Sequence, residues 1–224
     1  VHAAGAWAVV DGVSYCPHDL PDIPATGADI YLFSLYKVYG PHLGAMYVRA
    51  ALAAQLPSQA HFFKGDALQG RFTPAGPDHA QVAAVNGVID YLQSVAARHG
   101  HGTRSVQEQA AAVRQLFRGH ESELLQPLLD FLASHARVRM LGGTHARSRA
   151  PTVAFTVAGK SSASLAQQLA SLGIGVGNGN FYAWRLLQAM GIDTADGVVR
   201  ASFVHYTSPA EVDRLIGALA RLLR

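Results

Sequence analysis

The strongest restriction on the fold of this chain comes from a short apolar run that ends in a carboxylate. Residues 6–10 are all apolar and are followed directly by Asp11 and Gly12. A run of this length without polar residues predicts a short β-strand buried on both faces, as in a parallel sheet. The ligands of such sheets bind at the carboxyl ends of the strands, and we expect Asp11 to lie there.

The pattern that follows predicts an α/β large domain over residues 1–100. Further strands are predicted at 29–34 and 44–49, an irregular stretch at 50–76, and an amphipathic helix that begins after its cap Asp78 and ends near residue 97. The sheet is predicted to be mostly parallel with flanking helices.

The rest of the chain predicts an interdomain helical segment at 101–135 and a small α+β domain at 136–224. Pro127 is expected to kink or divide the helical segment. In the small domain we predict strands at 138–141, 152–157, 174–176 and 198–206, and helices at 161–172, 184–190 and 208–223.

Composition excludes several classes of function. Of 224 residues, 18 are Lys or Arg and 15 are Asp or Glu, and a net charge of +3 does not indicate nucleic-acid binding. No apolar run reaches the ~20 residues of a membrane span, and no signal peptide is evident. The single cysteine, Cys16, excludes an internal disulfide and favours a cytoplasmic location. His99 and His101 form the only close histidine pair and have no nearby third ligand, so no metal site is expected.

Lys37 is the most informative candidate for chemistry. It lies just past a predicted strand, in the sequence SLYKVYGP at 34–41, among aromatic and apolar neighbours. Such surroundings disfavour a charged amine. A covalent bond between this amine and an aldehyde cofactor is one function that explains a lysine at this position. The alternative is an ordinary lysine at a strand end that extends its amine into solvent.

Asp11 strengthens the first interpretation of Lys37. Lys37 lies 26 residues after Asp11, which leaves room for one crossover between parallel strands, so both side chains are expected at the same sheet edge. A carboxylate and an amine that converge there suit pyridoxal 5'-phosphate, which needs an anion at its ring nitrogen and an amine at its aldehyde. Alternatively, Asp11 belongs to an Asp-Gly turn that faces solvent.

Two groups of motifs resemble one enzyme family. The first group is VDG at 10–12, PH at 17–18, AD at 28–29, FSLYKVYGP at 33–41 and GAMY at 44–47, and the second is VRASF at 199–203, YTS at 206–208 and EVDRL at 211–215. Together they resemble class V aminotransferases of the cysteine desulfurase-like group, which are fold-type I pyridoxal phosphate enzymes. The resemblance implies part of a PLP-transferase large domain followed by the small domain.

The resemblance also implies a role for each of five residues toward pyridoxal 5'-phosphate. Lys37 forms the Schiff base, the internal aldimine, and then moves the α-proton as a general base. Asp11 pairs with the pyridine nitrogen, and Ser34 binds the phosphate. Ser14 replaces the usual glutamine beside the ring hydroxyl, and Tyr36 replaces the usual histidine beside the phosphate; both can still donate hydrogen bonds.

For the substrate, the resemblance implies a small-molecule amino acid whose carboxylate is bound by Arg200, and it implies a homodimer. A guanidinium suits this task because its donors match a carboxylate in pairs. Cysteine desulfurases carry a nucleophilic cysteine on a small-domain loop, but the matching residues 175–182 contain none. Transamination, elimination or lyase chemistry is therefore expected rather than persulfide formation.

Two other interpretations stay open at this point. The chain is a truncated or degenerate relative that has kept the fold for association without turnover, or it is a nucleotide-binding oxidoreductase, as the glycines at 175, 177 and 179 suggest. Because Asp11 comes so early in the chain, we expect these residues to be the C-terminal portion of an enzyme roughly twice as long.

Overall fold

The computed structural model describes residues 1–64, 67–73 and 75–224. They form two compact units, Val1–Gln115 and Leu116–Arg224. The three-part division of the chain expected from the sequence stays a prediction. Within the described ranges, no helix combines the length and the apolar character needed to cross a membrane.

The described residues form seven strands and seven α-helices. The strands are β1 (Val9–Asp11), β2 (Ile30–Ser34), β3 (Gly44–Val48), β4 (Val138–Leu141), β5 (Thr152–Val157), β6 (Gly177–Gly179) and β7 (Val198–Ser202). The helices are α1 (Cys16–Asp19), α2 (Ala50–Ala53), α3 (His79–Arg98), α4 (Val106–Ala133), α5 (Ser162–Ser171), α6 (Trp184–Ala189) and α7 (Pro209–Leu222). Short 3-10 turns occupy His2–Ala4, Pro24–Thr26, Leu35–Val38, Phe62–Lys64, Leu68–Gly70 and Ala146–Ser148.

The first unit contains a three-stranded sheet in the order β1-β2-β3. β1 and β2 are parallel, with Asp11 opposite Leu32. β3 is antiparallel to β2, with Gly44 opposite Ser34. The parallel pair places the carboxyl ends of β1 and β2 at one edge of the sheet, as expected from the spacing of Asp11 and Lys37.

The prediction that the first strand is buried on both faces is wrong for this structure. Val9 is 59% exposed and Trp7, just before the strand, is 53% exposed. Within the described residues β1 is one of the two edge strands of its sheet, and its Val9 and Asp11 side chains remain open to solvent. The parallel pairing itself was correctly anticipated.

The second unit is built on an antiparallel sheet in the order β4-β5-β7-β6. Alternate residues of β5 and β7 face the main apolar core, where α4, α5 and α7 cover them. The remaining residues of these strands, including Arg200, lie on the opposite face because side chains alternate along a strand. The mixed α/β fold class is as predicted.

Three predicted elements differ from the structure. In place of the strand predicted at 174–176, the structure has β6 at Gly177–Gly179, because pairing with β7 fixes its position. The helix expected to kink or divide at Pro127 is not divided, because Pro127 lies inside the single helix α4; the kink stays a prediction. Proline has no amide N–H, so the Glu123 carbonyl, four residues before Pro127, lacks its usual helical partner. Both residues are exposed, so water can bind this carbonyl instead. The stretch 50–76 contains the short helix α2, and its residues 65, 66 and 74 lie outside the described part of the chain.

The predicted helix starts are confirmed by their caps. The Asp78 carboxylate accepts hydrogen bonds from the Ala80 and Gln81 amides at the start of α3. At α7, the Ser208 hydroxyl accepts from the Glu211 amide while the Glu211 carboxylate accepts from the Ser208 amide. Such caps use amide groups that have no partner inside the helix.

Candidate active site

A 3-10 turn directly after β2 carries Lys37. Leu35 and Val38 of this turn are buried, and residues three apart lie on the same side of a 3-10 helix. Tyr36 and Lys37 therefore project away from the buried side, and Lys37 is half-buried. The apolar neighbours noted in the sequence anchor the turn and leave the amine near the surface.

The end of this turn is fixed against helix α3. Tyr39 has a left-handed backbone (φ 63°) and packs edge-on against Tyr91 at 5.8 Å between ring centroids. A Cβ at Gly40 would lie 2.8 Å from Val88 Cγ2, so only glycine allows the chain to pass this close to α3. Both contacts hold the Lys37 turn in a defined place beside the sheet.

The structure brings Lys37 to Ser14, another residue named from the sequence. Lys37 Nζ donates a hydrogen bond to Ser14 Oγ at 3.3 Å. Ser14 follows β1 by three residues, and Lys37 follows β2 by three residues. The two loops that leave the parallel strands thus meet at the same sheet edge.

Asp11 and Ser34 end these same two strands. Asp11 Oδ1 accepts a hydrogen bond from the Val13 amide at 3.0 Å, and within the described residues its second oxygen has no partner. The Asp11 side chain faces solvent, so the Asp-Gly turn and the cofactor contact are both compatible with its position. Ser34 lies opposite Gly44 and begins the Lys37 turn.

Tyr36 has an aromatic partner that the sequence interpretation missed. Its ring stacks on the His42 imidazole, with 4.9 Å between centroids and 9° between planes. The sequence does contain a signal for this contact, because His42 lies in the same loop as Lys37. This stack places a phenol and an imidazole together next to the residue expected to hold the cofactor.

Cys16 is not placed to act as a nucleophile. It is 6% exposed and packs against Val38 and Val88 in a small apolar cluster. Burial, with a smaller contribution from the nearby Asp19 charge, raises the pKa of its thiol to about 11. Because the thiolate is the reactive form of cysteine, this thiol is inert near neutral pH.

Arg200 lies on β7 in the second unit. Its register partners are Ala154 on β5 and Gly177 on β6. Its guanidinium carbon lies 3.9 Å from the centroid of the Phe181 ring. Its Nε is buried and, within the described residues, has no hydrogen-bond partner. The sequence interpretation named Arg200 but not Phe181.

The remaining sequence candidates give no second site. In the described ranges no three His, Cys, Asp or Glu side chains are grouped to hold a metal ion. The glycines at 175–179 lead into and form β6, and α6 begins only at Trp184, so the oxidoreductase interpretation is wrong: its phosphate loop would run directly into a helix.

The comparison with known proteins now decides the family. The family profile described as aminotransferase class-V matches residues 1–215 of this chain. The chain belongs to the class V aminotransferase family. Pyridoxal 5'-phosphate is the cofactor of this family, and the resemblance seen in the sequence motifs is confirmed.

Individual class V relatives show how much of the family's length is present. The aminotransferase-like protein FGM3 of Gibberella zeae is 35% identical over 223 residues, which are 98% of this chain and 52% of that protein. The cysteine desulfurase-like protein ustD of Aspergillus flavus is 30% identical over 93% of this chain and 45% of its own length. The chain therefore spans about half the length of these relatives.

A solved structure confirms the fold of this member of the class V aminotransferase family. The cysteine desulfurase CsdA from Escherichia coli matches with a TM-score of 0.74 and 24% identity, over 99% of this chain and 53% of the solved chain. At this identity the match is a statement about fold. The predicted fold class, part of a PLP-transferase domain with a small α+β domain, agrees with it.

Proposed function

We propose that this chain contributes Lys37 to a pyridoxal phosphate site and Arg200 to the binding of an amino-acid substrate. The observation that carries the proposal is the 3.3 Å hydrogen bond from Lys37 Nζ to Ser14 Oγ. It joins the loops that leave two parallel strands, at the edge where sheets of this kind bind their ligands.

The side chains at this edge fit the chemistry of the cofactor. The amine of Lys37 is the group to hold the aldehyde carbon covalently, and the open oxygen of Asp11 is available to the ring nitrogen. Ser14 and Ser34 offer hydroxyls to the ring oxygen and the phosphate, and the phenol of Tyr36 offers a further donor. When bound, the cofactor supplies an electron sink for the substrate's α-carbon.

The protein's own groups then bind the substrate and move its proton. Arg200 binds the carboxylate through its paired donors, which fixes the orientation of the α-carbon. Lys37 Nζ, as a free amine, would accept the α-proton as a general base. These roles of Arg200 and Lys37 suit transamination, elimination or lyase chemistry in a homodimeric enzyme.

Persulfide formation is not part of the proposal. Residues 175–182 contain no cysteine, and Cys16 is buried with a raised thiol pKa. A desulfurase needs an accessible thiolate to take sulfur from its substrate, and this chain offers none at either place.

The test is covalent capture of the cofactor on Lys37. Purified protein, as the 224-residue chain and as the complete product of its gene, is mixed with pyridoxal 5'-phosphate and reduced with borohydride. We expect a visible absorbance band before reduction and one reduced cofactor on the peptide that contains Lys37, measured by mass spectrometry. Lys37→Ala removes both signals, whereas Lys64→Ala, at an exposed lysine on the turn Phe62–Lys64, leaves them unchanged.

Two results would contradict this assignment. An adduct that forms equally well in Lys37→Ala would show that another amine holds the cofactor. The lack of any adduct in both chain lengths would favour the alternative of a non-catalytic relative that has kept the fold.

A further inference from the structure

Small residues flank Arg200 on both neighbouring strands. Its register partners are Ala154 on β5 and Gly177 on β6. Side chains at paired positions of antiparallel strands lie on the same face of the sheet. These two small residues leave a recess beside Arg200, with only a methyl group on one side and a hydrogen atom on the other.

Phe181 fills the side of the recess that Gly177 leaves open. A Cβ at Gly177 would lie 2.9 Å from Cζ of the Phe181 ring, closer than side chains tolerate. The same ring lies under the guanidinium carbon of Arg200 at 3.9 Å, within the range of a cation–π contact. The ring thus occupies the volume of a missing side chain and contacts one face of the cation.

The backbone that places this ring is unusual. Phe181 (φ 51°) and Tyr182 (φ 63°) are consecutive non-glycine residues in the left-handed region. That region is unfavourable for aromatic residues, and such strain is found mostly at functional sites. The Asn180 carbonyl accepts from the Ala183 amide at 2.8 Å, and Asn180 Oδ1 accepts from the Tyr182 amide at 3.1 Å, so the turn is held from within.

The contact with Phe181 leaves Nε of Arg200 without a hydrogen-bond partner among the described residues. A ring satisfies only the face of a guanidinium, while its N–H groups point outward in the plane. Nε is buried, and no side chain or carbonyl of the described residues accepts from it. An unpaired buried donor on a charged group is costly, and an anion at this edge removes that cost.

We infer that Phe181 is a positioning residue for Arg200: its ring fixes the plane of the guanidinium so that the N–H edge faces the substrate carboxylate. This inference rests on the proposed role of Arg200 in substrate binding. Phe181 lies outside the two groups of motifs that resemble the family. The inference also explains why a glycine, Gly177, lies opposite Arg200.

The side-chain N–H signal of Arg200 in ¹⁵N-labelled protein tests this directly. The signal is assigned by its loss in Arg200→Lys, and the probe is L-alanine, with L-alaninamide as the matched compound without a carboxylate. We expect an upfield-shifted signal in the wild type, since protons over an aromatic face are shielded, and a further change on addition of L-alanine only.

The variants separate positioning from simple packing. Phe181→Leu keeps an apolar side chain but removes the ring, and we expect it to lose the upfield shift and to bind L-alanine about tenfold more weakly. Gly177→Ala pushes the ring away and is expected to have the same effect through an independent change. Phe181→Tyr restores both properties, and Tyr182→Ala, at a fully exposed neighbour, leaves both unchanged.

The outcomes distinguish this inference from the function on which it rests. An unshifted Arg200 signal in the wild type, or equal L-alanine binding by wild type and Phe181→Leu with unchanged thermal stability, would overturn the positioning role. A shifted, ring-dependent signal that does not respond to L-alanine would instead overturn the carboxylate role of Arg200 and with it the purpose assigned to Phe181.

Discussion

Gly12 shows how a single missing side chain determines the path of the backbone at the proposed cofactor site. A Cβ at Gly12 would lie 2.0 Å from Tyr31 Oη, and Tyr31 is only 2% exposed. The buried phenol, whose pKa is raised to about 12 chiefly by burial, therefore passes directly against the loop that leaves β1. Glycine is required here because the loop carries Asp11 and Ser14 past a fixed aromatic ring.

We expect Gly12→Ala to be destabilising. The added methyl group must displace the buried Tyr31 ring, and overpacking of this kind costs ~1–3 kcal/mol in the free energy of unfolding. Urea denaturation measures the change. Gly44→Ala is the matched control, because a Cβ at Gly44 meets no atom within 4 Å. Equal stability of the two variants would show that the Tyr31 ring moves freely.

Cys16 gives a second prediction at the scale of one residue. With its thiol pKa raised to about 11, we expect slow reaction with a disulfide reagent at pH 8 and fast reaction after unfolding in urea. With L-cysteine as substrate, mass spectrometry should find no persulfide on Cys16. A persulfide there, lost in Cys16→Ala, would restore desulfurase chemistry to this protein.

Among the structural elements, the three strands of the first sheet are joined by one buried carboxylate. Asp29 precedes β2, and its Oδ2 accepts from the Ala8 amide at 2.7 Å and contacts His2 Nε2 at 2.8 Å. Its Oδ1 forms an ion pair with Arg49 Nη2 at 2.5 Å, just after β3. The hydrogen bond from Ala8, followed by that from His2, holds the pKa of Asp29 below its usual value.

This lowered pKa predicts how stability depends on pH. A carboxyl group whose pKa is lower in the folded state stabilises the protein above its unfolded pKa of ~3.9, and the contribution is lost as the pH falls toward the folded-state value. We expect Asp29→Asn to reduce the free energy of unfolding at pH 7 and to flatten its decline below pH ~4. Asp90→Asn, at an exposed position on α3, should change neither. A pH profile of Asp29→Asn parallel to the wild type would contradict this account.

Sequence patterns predicted the elements whose signals are local. Asp78 and Ser208 indicated helix starts because capping depends on amides within three residues. The pattern failed where a partner strand decides the outcome: β6 is shifted to Gly177–Gly179 by its pairing with β7. The spacing of Asp11 and Lys37 predicted a shared sheet edge, whereas Ser14 was named only through the resemblance, and Phe181 under Arg200 has no periodic signal.

At the scale of the whole molecule, the two units differ in the size of the apolar clusters that their described residues form. The large core, which includes Leu128, Phe155 and Leu219, lies entirely in the second unit. The distinct apolar cluster of the first unit consists of Cys16, Val38 and Val88 with a few half-buried neighbours. Since burial of apolar area is the main favourable term in folding, the second unit should be the more stable.

Hydrogen exchange on the intact chain tests this difference. We expect the amides of β5 and β7 to exchange more slowly than those of β1 and β2, because they open only when the large core unfolds. Mass spectrometry of peptides from both sheets under native conditions gives the comparison. Equal protection of the two sheets would mean that the units unfold as one cooperative body.

The position of β7 has a consequence for the order of events during synthesis. Among the described residues β7 is the last strand, yet it lies between β5 and β6. Until residues 198–202 leave the ribosome, β6 has no strand to pair with and β5 has only β4. The strand that completes this sheet is also the one that carries Arg200. A nascent chain therefore acquires the candidate substrate-binding arginine in the same step that completes the sheet around it.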